Sequence, residues 1–352
     1  MSPQVQEQGR PAEHSRPLVT VGFPTYNREW SLPAVLESLL AFDYPRARLR
    51  VCFVDGYSTD GTMSIIDGFV AAHAAEYEGV VVKSARSNIP EARNIIFDCA
   101  RGSDYVFFLD SDITAPPDTV GRLVGMFKDP RVGMAALPWD NRNARRRAGF
   151  LFRAFTVPRG PHEAYKVGSG CNMVSMKAFE KVGGYNPRLV VHEDSEFSFM
   201  MRKGGFKIVS DSSSEGTHLR EIGVDPSFYL RFMKDSAVTY RELMGKGSLL
   251  HFAKVASSYA LAASFLGLAL LRSLPSAGAF LAVLGFCAWL NSSAFSLDDG
   301  SSVRLPYRPV VGLVFTGTTL MVSLLVLWFA IAGRPERLRP VDVPAAPPQG
   351  KP

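Results

Sequence analysis

The sequence contains little cysteine: its 352 residues include only Cys52, Cys99, Cys171 and Cys287. Their spacing is not that of metal ligands, and none has the surroundings of a catalytic thiol. We therefore predict free thiols in a reducing compartment. The chain also lacks a visible internal repeat.

We also expect no secretory signal at the N-terminus, because residues 1–17 are polar and have no apolar core. We expect residues 1–17 to form a disordered tail and the proline-rich residues 334–352 to form another. The sequence as a whole is unusually apolar for its charge. Hydrophobic residues make up 47%, the net charge is +6 and the mean hydropathy is +0.05.

Three apolar stretches in the last hundred residues carry most of this hydrophobicity. They cover residues 252–271, 275–295 and 310–332, and the third contains no charged residue. Each is about as long as a helix that crosses a bilayer. We therefore predict a small α-helical transmembrane domain over residues 252–332. A re-entrant hairpin stays open as the alternative for the second stretch, which is shorter than the third and interrupted.

Two carboxylates follow an apolar strand in the middle of the chain. Asp110 and Asp112 come after Phe107-Phe108-Leu109 and precede Pro116-Pro117, which break the chain. Residues i and i+2 of an extended chain point to the same side, so the two carboxylates can share one divalent cation with a nucleotide diphosphate. A lone DxD sequence is weak evidence, because most such triplets lie in solvated turns.

Two upstream segments repeat this pattern of a strand followed by a polar loop. Residues 18–23 run into a loop at 24–29, and residues 50–54 run into a loop at 55–62. Both runs are apolar and rich in β-branched residues, and each precedes a helical stretch, which predicts a parallel α/β sheet. Ligands bind beyond the carboxyl ends of such strands. The residues expected around one crevice are Thr25, Asn27, Asp55, Asp60, Asp110 and Asp112.

The order of these segments resembles that of family 2 glycosyltransferases, which bind nucleotide sugars in a GT-A fold. The resemblance covers residues 17–220, and its further motifs lie at residues 88–94, 168–172, 183–186 and 192–194. It implies an α/β catalytic domain over residues 18–225, with a mostly parallel sheet flanked by helices. The residues implied in nucleotide-sugar binding are Pro24, Thr25, Tyr26, Asn27, Asp55, Asp60, Arg93, Asp110 and Ser111.

Several of these assignments have alternatives. Many members of the family have paired aspartates where Val54-Asp55 stands, so only Asp55 is available here to the base or the ribose. For Asp55 and Asp60, plain turn formation around Asp-Gly stays open. Arg93 is implied as a forked donor to the diphosphate, and its alternative is a helix-surface arginine paired with Glu91.

The resemblance also implies the catalytic groups. A divalent cation, Mn²⁺ or Mg²⁺, would lie at Asp110 and Asp112, with His218 as a third ligand, and would act as a Lewis acid on the leaving diphosphate. Asp194, beside Glu193, matches the carboxylate that accepts the proton of the acceptor. The alternative for this pair is structural, because acidic residues are favoured in the first turn of any helix.

A basic segment interleaved with aromatic residues follows the DxD motif. We expect its arginines to hold the phosphate of a lipid-linked acceptor or to dock on anionic headgroups. The alternatives for this segment are that it binds nucleic acid or that it is only a solvated face. Residues 226–246 predict an amphipathic helix in the membrane interface, or else a helix packed on the catalytic domain. The arginines assigned to the acceptor are Arg142, Arg145, Arg146, Arg147 and Arg231.

These features predict an inverting, metal-dependent hexose transfer by a multi-pass protein of the cell membrane whose catalytic domain is cytoplasmic. The expected donor is GDP-mannose or a UDP-hexose. The expected acceptor is a polyprenyl or dolichyl phosphate, or a glycan linked to one, and no nucleic-acid partner is expected. The chain resembles dolichyl-phosphate sugar synthases and minimal cellulose-synthase-like mannosyltransferases. Two alternatives stay open: a processive polysaccharide synthase, although the Gln-x-x-Arg-Trp motif is missing around Arg231, and a pseudoenzyme scaffold that binds nucleotide sugar.

Overall fold

The computed structural model describes residues 16–140, 155–156, 160–189, 191–213, 215–219 and 302–303. The predicted interface helix, the three apolar stretches and the arginines assigned to the acceptor lie outside these residues, as do nearly all of both predicted tails. In the part of the chain that is described, no helix is both long and apolar enough to cross a membrane.

The described residues form an α/β fold. The helices are α1 Leu32–Leu40, α2 Thr62–His73, α3 Ile89–Cys99, α4 Thr119–Met126, α5 Met176–Val182 and α6 Glu193–Lys203. The strands are β1 Val19–Thr25, β2 Leu49–Asp55, β3 Gly79–Ser84, β4 Tyr105–Leu109, β5 Ile113–Thr114, β6 Val132–Ala136, β7 Trp139–Asp140, β8 Phe155–Thr156, β9 Pro161–Glu163, β10 Cys171–Ser175, β11 Lys207–Asp211, β12 Gly216–His218 and β13 Ser302–Val303.

Eight strands form the main sheet in the order β3-β2-β1-β4-β10-β6-β11-β9. Neighbours β3, β2, β1 and β4 are all parallel, and β6 is parallel to β11. β10 runs antiparallel to both β4 and β6, and β9 runs antiparallel to β11. A separate small sheet has the order β5-β12-β7. The prediction of a mostly parallel sheet flanked by helices is confirmed.

The middle residues of the central strands are apolar on both faces because helices cover both faces of the sheet. In β2, Val51 and Phe53 face the core with α1, α2 and α4. The alternate residues Cys52 and Val54 face the second core with α3, α5 and α6. Since side chains alternate between the faces of a strand, burial on both faces requires an unbroken apolar run.

Helix α3 begins at a capping box. The side chain of Asn88 accepts a hydrogen bond from the backbone of Glu91, and the side chain of Glu91 accepts one from the backbone of Asn88. The helix then packs so closely on β1 that a Cβ at Gly22 would lie 2.3 Å from Cγ2 of Ile96. Glycine is therefore required at this strand position for steric reasons.

The contact between α3 and β1 gives a stability prediction. We expect Gly22→Ala to lower the free energy of unfolding by about 1–3 kcal/mol, because the added methyl overpacks the core. Gly68→Ala is the matched control. It lies in α2 with no atom within 4 Å of the added Cβ, and alanine should stabilise this helix by up to about 1 kcal/mol. Urea unfolding measures both, and equal stability of the two variants would contradict the packing of α3 on β1.

Candidate functional site

The carboxyl ends of β1 and β2 lie side by side, with Thr25 paired to Asp55. The loops that follow are hydrogen-bonded to each other. The backbone N–H of Asn27 donates to Oγ of Ser58 at 2.8 Å, and the N–H of Thr59 donates to Oδ1 of Asn27 at 2.8 Å. The two loops therefore form one continuous wall at this edge of the sheet.

Two predicted ligand residues, Asp55 and Asp60, shape this wall. Asp55 is 1% exposed and accepts bonds from the backbone and the hydroxyl of Ser58. Asp60 accepts from the backbone of Thr62 at 3.0 Å and of Glu29 at 3.2 Å. Desolvation raises the pKa of Asp60, but hydrogen bonds, chiefly from Thr62, outweigh it and hold the pKa below its usual value. Both carboxylates thus accept hydrogen bonds within these loops, and their role toward a base or ribose stays a prediction.

Left-handed backbone marks the loops of this edge. Among the described residues, three that are not glycine have positive φ: Asn27 at 50°, Tyr57 at 64° and His192 at 62°. Such conformations cost about 1–3 kcal/mol each and concentrate at functional sites. Tyr57 is also 42% exposed, with the guanidinium of Arg86 5.9 Å from its ring centroid. Sequence reasoning did not select Tyr57, although an aromatic residue within an Asp-Gly turn was a usable signal.

The DxD motif forms a turn. β4 ends at Leu109, and the N–H of Ile113 donates to the carbonyl of Asp110 at 2.9 Å. The prediction that Asp110 and Asp112 project from one extended strand is therefore wrong, because a turn rotates successive side chains by other angles. The two carboxylates have different neighbours.

The residue between them faces inward. Ser111 is 1% exposed, and its hydroxyl donates to the carbonyl of Pro24 at 2.7 Å and lies 2.9 Å from Oγ1 of Thr25. Its carbonyl accepts from the hydroxyl of Ser31 at 2.7 Å. Tyr26, which follows Thr25 in the chain, packs over Gly56. A Cβ at Gly56 would lie 3.2 Å from the ring of Tyr26. These side chains attach the DxD turn to β1 and to the wall.

Asp112 lies beside a cation and an imidazole. Its carboxylate is 3.6 Å from Nη2 of Arg28 and 3.8 Å from Nε2 of His218. The pairing of β12 with β5 brings His218 there, and the N–H of Leu219 donates to the Asp112 carbonyl at 2.8 Å. Arg28 was not among the predicted site residues. As the cation nearest Asp112 in the described ranges, it belongs to the site.

The donor atoms near Asp112 fit part of a divalent-cation site. A carboxylate oxygen and an imidazole nitrogen are both ligands of Mn²⁺-type ions. Within the described ranges, no three His, Cys, Asp or Glu side chains are grouped to hold a metal. Asp110, the third candidate, has its Oδ1 engaged by Arg93 at 3.1 Å. Asp112 and His218 are therefore the two side chains here that could share a metal ion, whereas Asp110 is paired with Arg93.

Arg93 joins the DxD turn to helix α6. Its side chain is 2% exposed, and its two terminal nitrogens bind Oδ1 of Asp110 at 3.1 Å and Oε1 of Glu193 at 2.7 Å. Burial by itself lowers the pKa of Arg93, but Asp110, Tyr185 and Glu193 outweigh it and raise that pKa above its usual value. The alternative of a surface arginine paired with Glu91 is wrong, since Arg93 is buried and Glu91 closes the capping box.

The candidate base, Asp194, lies in the first turn of α6. Its Oδ1 accepts from the backbone N–H of Ser195 at 2.6 Å, and the Ser195 hydroxyl lies 3.3 Å from Nζ of Lys166. Two residues before Asp194, burial lowers the pKa of His192, although the charge of Asp194 acts in the opposite direction. This imidazole is therefore neutral near pH 7. Asp194 is partly exposed and therefore accessible to an acceptor.

Several known proteins are similar to this chain. The family described as "Glycosyl transferase family 2" matches residues 20–203. Undecaprenyl-phosphate 4-deoxy-4-formamido-L-arabinose transferase of Aeromonas hydrophila is 34% identical over 110 residues, covering 30% of this chain and 32% of that protein. Chondroitin synthase of Escherichia coli is 23% identical over 230 residues, covering 62% of this chain and 32% of that protein. The match therefore spans about a third of each of these two relatives.

One solved structure shows the same fold. Mannosyltransferase PcManGT from Pyrobaculum calidifontis, in complex with GDP-Man and Mn²⁺, superposes with a TM-score of 0.61 and 22% identity, over 91% of this chain and 90% of that one. At this identity the likeness concerns the fold alone. The predicted GT-A fold is confirmed, and the family match supports the predicted enzyme class, a glycosyltransferase. The family match takes in just over half of the chain, from β1 to the end of α6, and the chain belongs to glycosyl transferase family 2.

Proposed function

We propose that this protein transfers a hexose from a nucleotide sugar to a lipid-linked acceptor, with inversion at the anomeric carbon. The observation that carries the proposal is the shared guanidinium of Arg93. It brings Asp110 of the DxD turn and Glu193, the neighbour of the candidate base, within 3.1 and 2.7 Å of one group. Donor-side and acceptor-side carboxylates of a sugar transfer would then line a single crevice at the carboxyl edge of parallel strands, where such folds bind ligands.

The donor would lie along the wall made by the loops after β1 and β2. The exposed ring of Tyr57 and the neighbouring Arg86 offer an apolar face and a positive charge to a nucleotide there. We propose GDP-mannose as the first donor and a UDP-hexose as the second, following the resemblance of the sequence to dolichyl-phosphate sugar synthases.

The acceptor that we propose is a polyprenyl phosphate or a glycan linked to one. The relative from Aeromonas hydrophila is named for transfer to undecaprenyl phosphate, which supports this chemistry. The apolar stretches at 252–271, 275–295 and 310–332 and the arginines at 142–147 favour a membrane surface as the place of transfer. We accordingly propose a catalytic domain on the cytoplasmic face of the cell membrane, where nucleotide sugars are found.

In this proposal, Asp112 and His218 would hold a divalent cation. When bound, such an ion neutralises charge on the leaving diphosphate. Arg28, 3.6 Å from Asp112, adds a fixed positive charge on the same side. Asp194 accepts the proton of the attacking acceptor. A single displacement from the face opposite the diphosphate inverts the anomeric carbon.

A processive polysaccharide synthase is the second candidate, because chondroitin synthase, a relative over 62% of this chain, is named as a polymerising enzyme. The length of the product separates the two. One sugar on each lipid supports a single transfer, and a ladder of sugars supports a polymerase.

The assay that tests the function incubates purified full-length protein with labelled GDP-mannose, UDP-glucose and other UDP-hexoses, extracted polyprenyl lipids, and Mn²⁺ or Mg²⁺. We expect label from one donor to enter the lipid phase as a single sugar per lipid, and chelation of the metal to stop it. Long labelled chains would replace this function with a synthase. Nucleotide-sugar binding without any transfer would identify a pseudoenzyme.

Asp112 gives a prediction for the metal side. We expect Asp112→Asn to lower kcat by about 100-fold or more at saturating Mn²⁺, because one charge that holds the cation against the diphosphate is lost. The control is Asp98→Asn, whose side chain is 66% exposed and paired with Arg101. This variant also loses one negative charge, but at a position away from the crevice, so it should transfer sugar at the wild-type rate. Wild-type turnover in Asp112→Asn would contradict the assignment.

Asp194 gives a prediction for the base. Asp194→Asn should leave the donor Kd within about threefold of wild type while kcat falls by about 10²–10⁴, since the amide fills the same space but accepts no proton. Asp67→Asn, an exposed residue of α2, is the control. Calorimetry with the donor and a transfer assay measure the two effects. A parallel collapse of donor binding would make Asp194 a donor ligand or a structural residue.

A further inference from the structure

The segment 88–94, one of the motifs of the family resemblance, binds mainly to other parts of the protein. The amide of Asn88 donates to the carbonyl of Pro187 at 2.8 Å. Asn94 holds the backbone of Tyr185 from both sides, accepting from its N–H and donating to its carbonyl, each at 2.8 Å. Helix α3 thus holds the loop that precedes α6.

This loop covers Arg93. The ring centroid of Tyr185 lies 5.4 Å from the guanidinium carbon, and Tyr185 is itself 2% exposed. A Cβ at Gly184 would lie 2.3 Å from Oδ1 of Asn94, so a side chain there would displace the loop. Nε of Arg93 is also buried and has no hydrogen-bond partner within the described residues. The guanidinium is therefore enclosed by protein and not presented to a ligand.

The two carboxylates that neutralise Arg93 come from different elements. Asp110 belongs to the turn after β4, and Glu193 is the first residue of α6, 100 positions from Arg93 in the chain. A buried charge without partners costs several kcal/mol, so both carboxylates are needed close to the guanidinium. A planar guanidinium can bind two carboxylates in fixed directions, which a lysine ammonium cannot do.

We propose that Arg93 is a positioning residue, which holds Asp110 and Glu193 at a fixed separation and does not itself bind the diphosphate of the donor. The effect on the reaction rests on the proposed function: the metal-side carboxylate and the helix that carries Asp194 keep their relative placement through this one side chain. The contact itself is independent of any activity. The two parts are tested separately.

The first test is a double-mutant cycle on thermal stability of the full-length chain, with Arg93→Met, Glu193→Gln and the double variant. Each single change should lower the Tm, and the double change should lower it by clearly less than the sum, because a buried charge is no longer left without its partner. The same cycle is run with Asp110→Asn. Additive losses in both cycles would overturn the proposal. If Arg93→Met does not fold, Arg93→Lys takes its place.

The second test separates positioning from ligand binding. Calorimetry measures the affinity of Arg93→Lys and Arg93→Met for GDP and for UDP, each with Mn²⁺, and the transfer assay measures kcat. For both variants we expect a nucleotide Kd within about threefold of wild type. We expect kcat of Arg93→Met to fall by about 100-fold, as for a misplaced catalytic group, and Arg93→Lys to recover less than about tenfold of that loss. Arg101→Met, which removes a charge that is 77% exposed, should change neither.

A Kd raised by tenfold or more in Arg93→Met, and restored by Arg93→Lys, would identify Arg93 as a diphosphate ligand and overturn the proposal. If the wild-type protein transfers no sugar, the proposed function fails, and the stability cycles still decide whether Arg93 couples the two carboxylates. Failure of the one is thereby distinguishable from failure of the other.

Discussion

The candidate site depends on one interaction, the buried contact of the Arg93 guanidinium with the carboxylates of Asp110 and Glu193. Within the described part of the chain, Arg93 is the largest of the fully buried side chains, and it bears a charge. Desolvating that charge is costly, so the fold must bring carboxylates to it from the DxD turn and from α6. Three contacts fix helix α3, which carries this guanidinium. They are its capping box, the hydrogen bonds of Asn94 to the backbone of Tyr185 and the close contact of Ile96 with Gly22.

The remainder of the site consists of loops that hold each other on rigid strands. A hydrogen bond between Asn27 and Ser58 joins the loops after β1 and β2, and a hydrogen bond from Ser111 joins the DxD turn to β1. The backbone at Tyr57 and His192 is left-handed, a conformation that persists only where the surrounding structure holds it. Such an arrangement suits a group transfer, because reacting groups must be placed before the chemistry and not during it.

The electrostatics divide the crevice into two sides. The DxD turn, with Arg28 and His218 beside Asp112, lies on the first side, and Glu193 of α6 lies on the second. Arg93 binds Asp110 and Glu193 and so lies between them. In the proposed transfer, the departing diphosphate would require positive charge on the first side, and the attacking acceptor would require a carboxylate near the second. One buried cation between them allows several carboxylates to stay close together, since their mutual repulsion is offset.

The sequence by itself determined the family, the parallel strands and the edge of the sheet where the site lies. These follow from local facts, since burial on both faces demands apolar runs such as Val51 to Val54 and the motifs come in a fixed order. Tertiary structure alone decided which charges meet. Arg93 and Glu193 are 100 positions apart, and no spacing rule predicts their contact. Asp110 and Asp112 diverge because the chain turns after Leu109, where the geometry of an extended strand no longer applies.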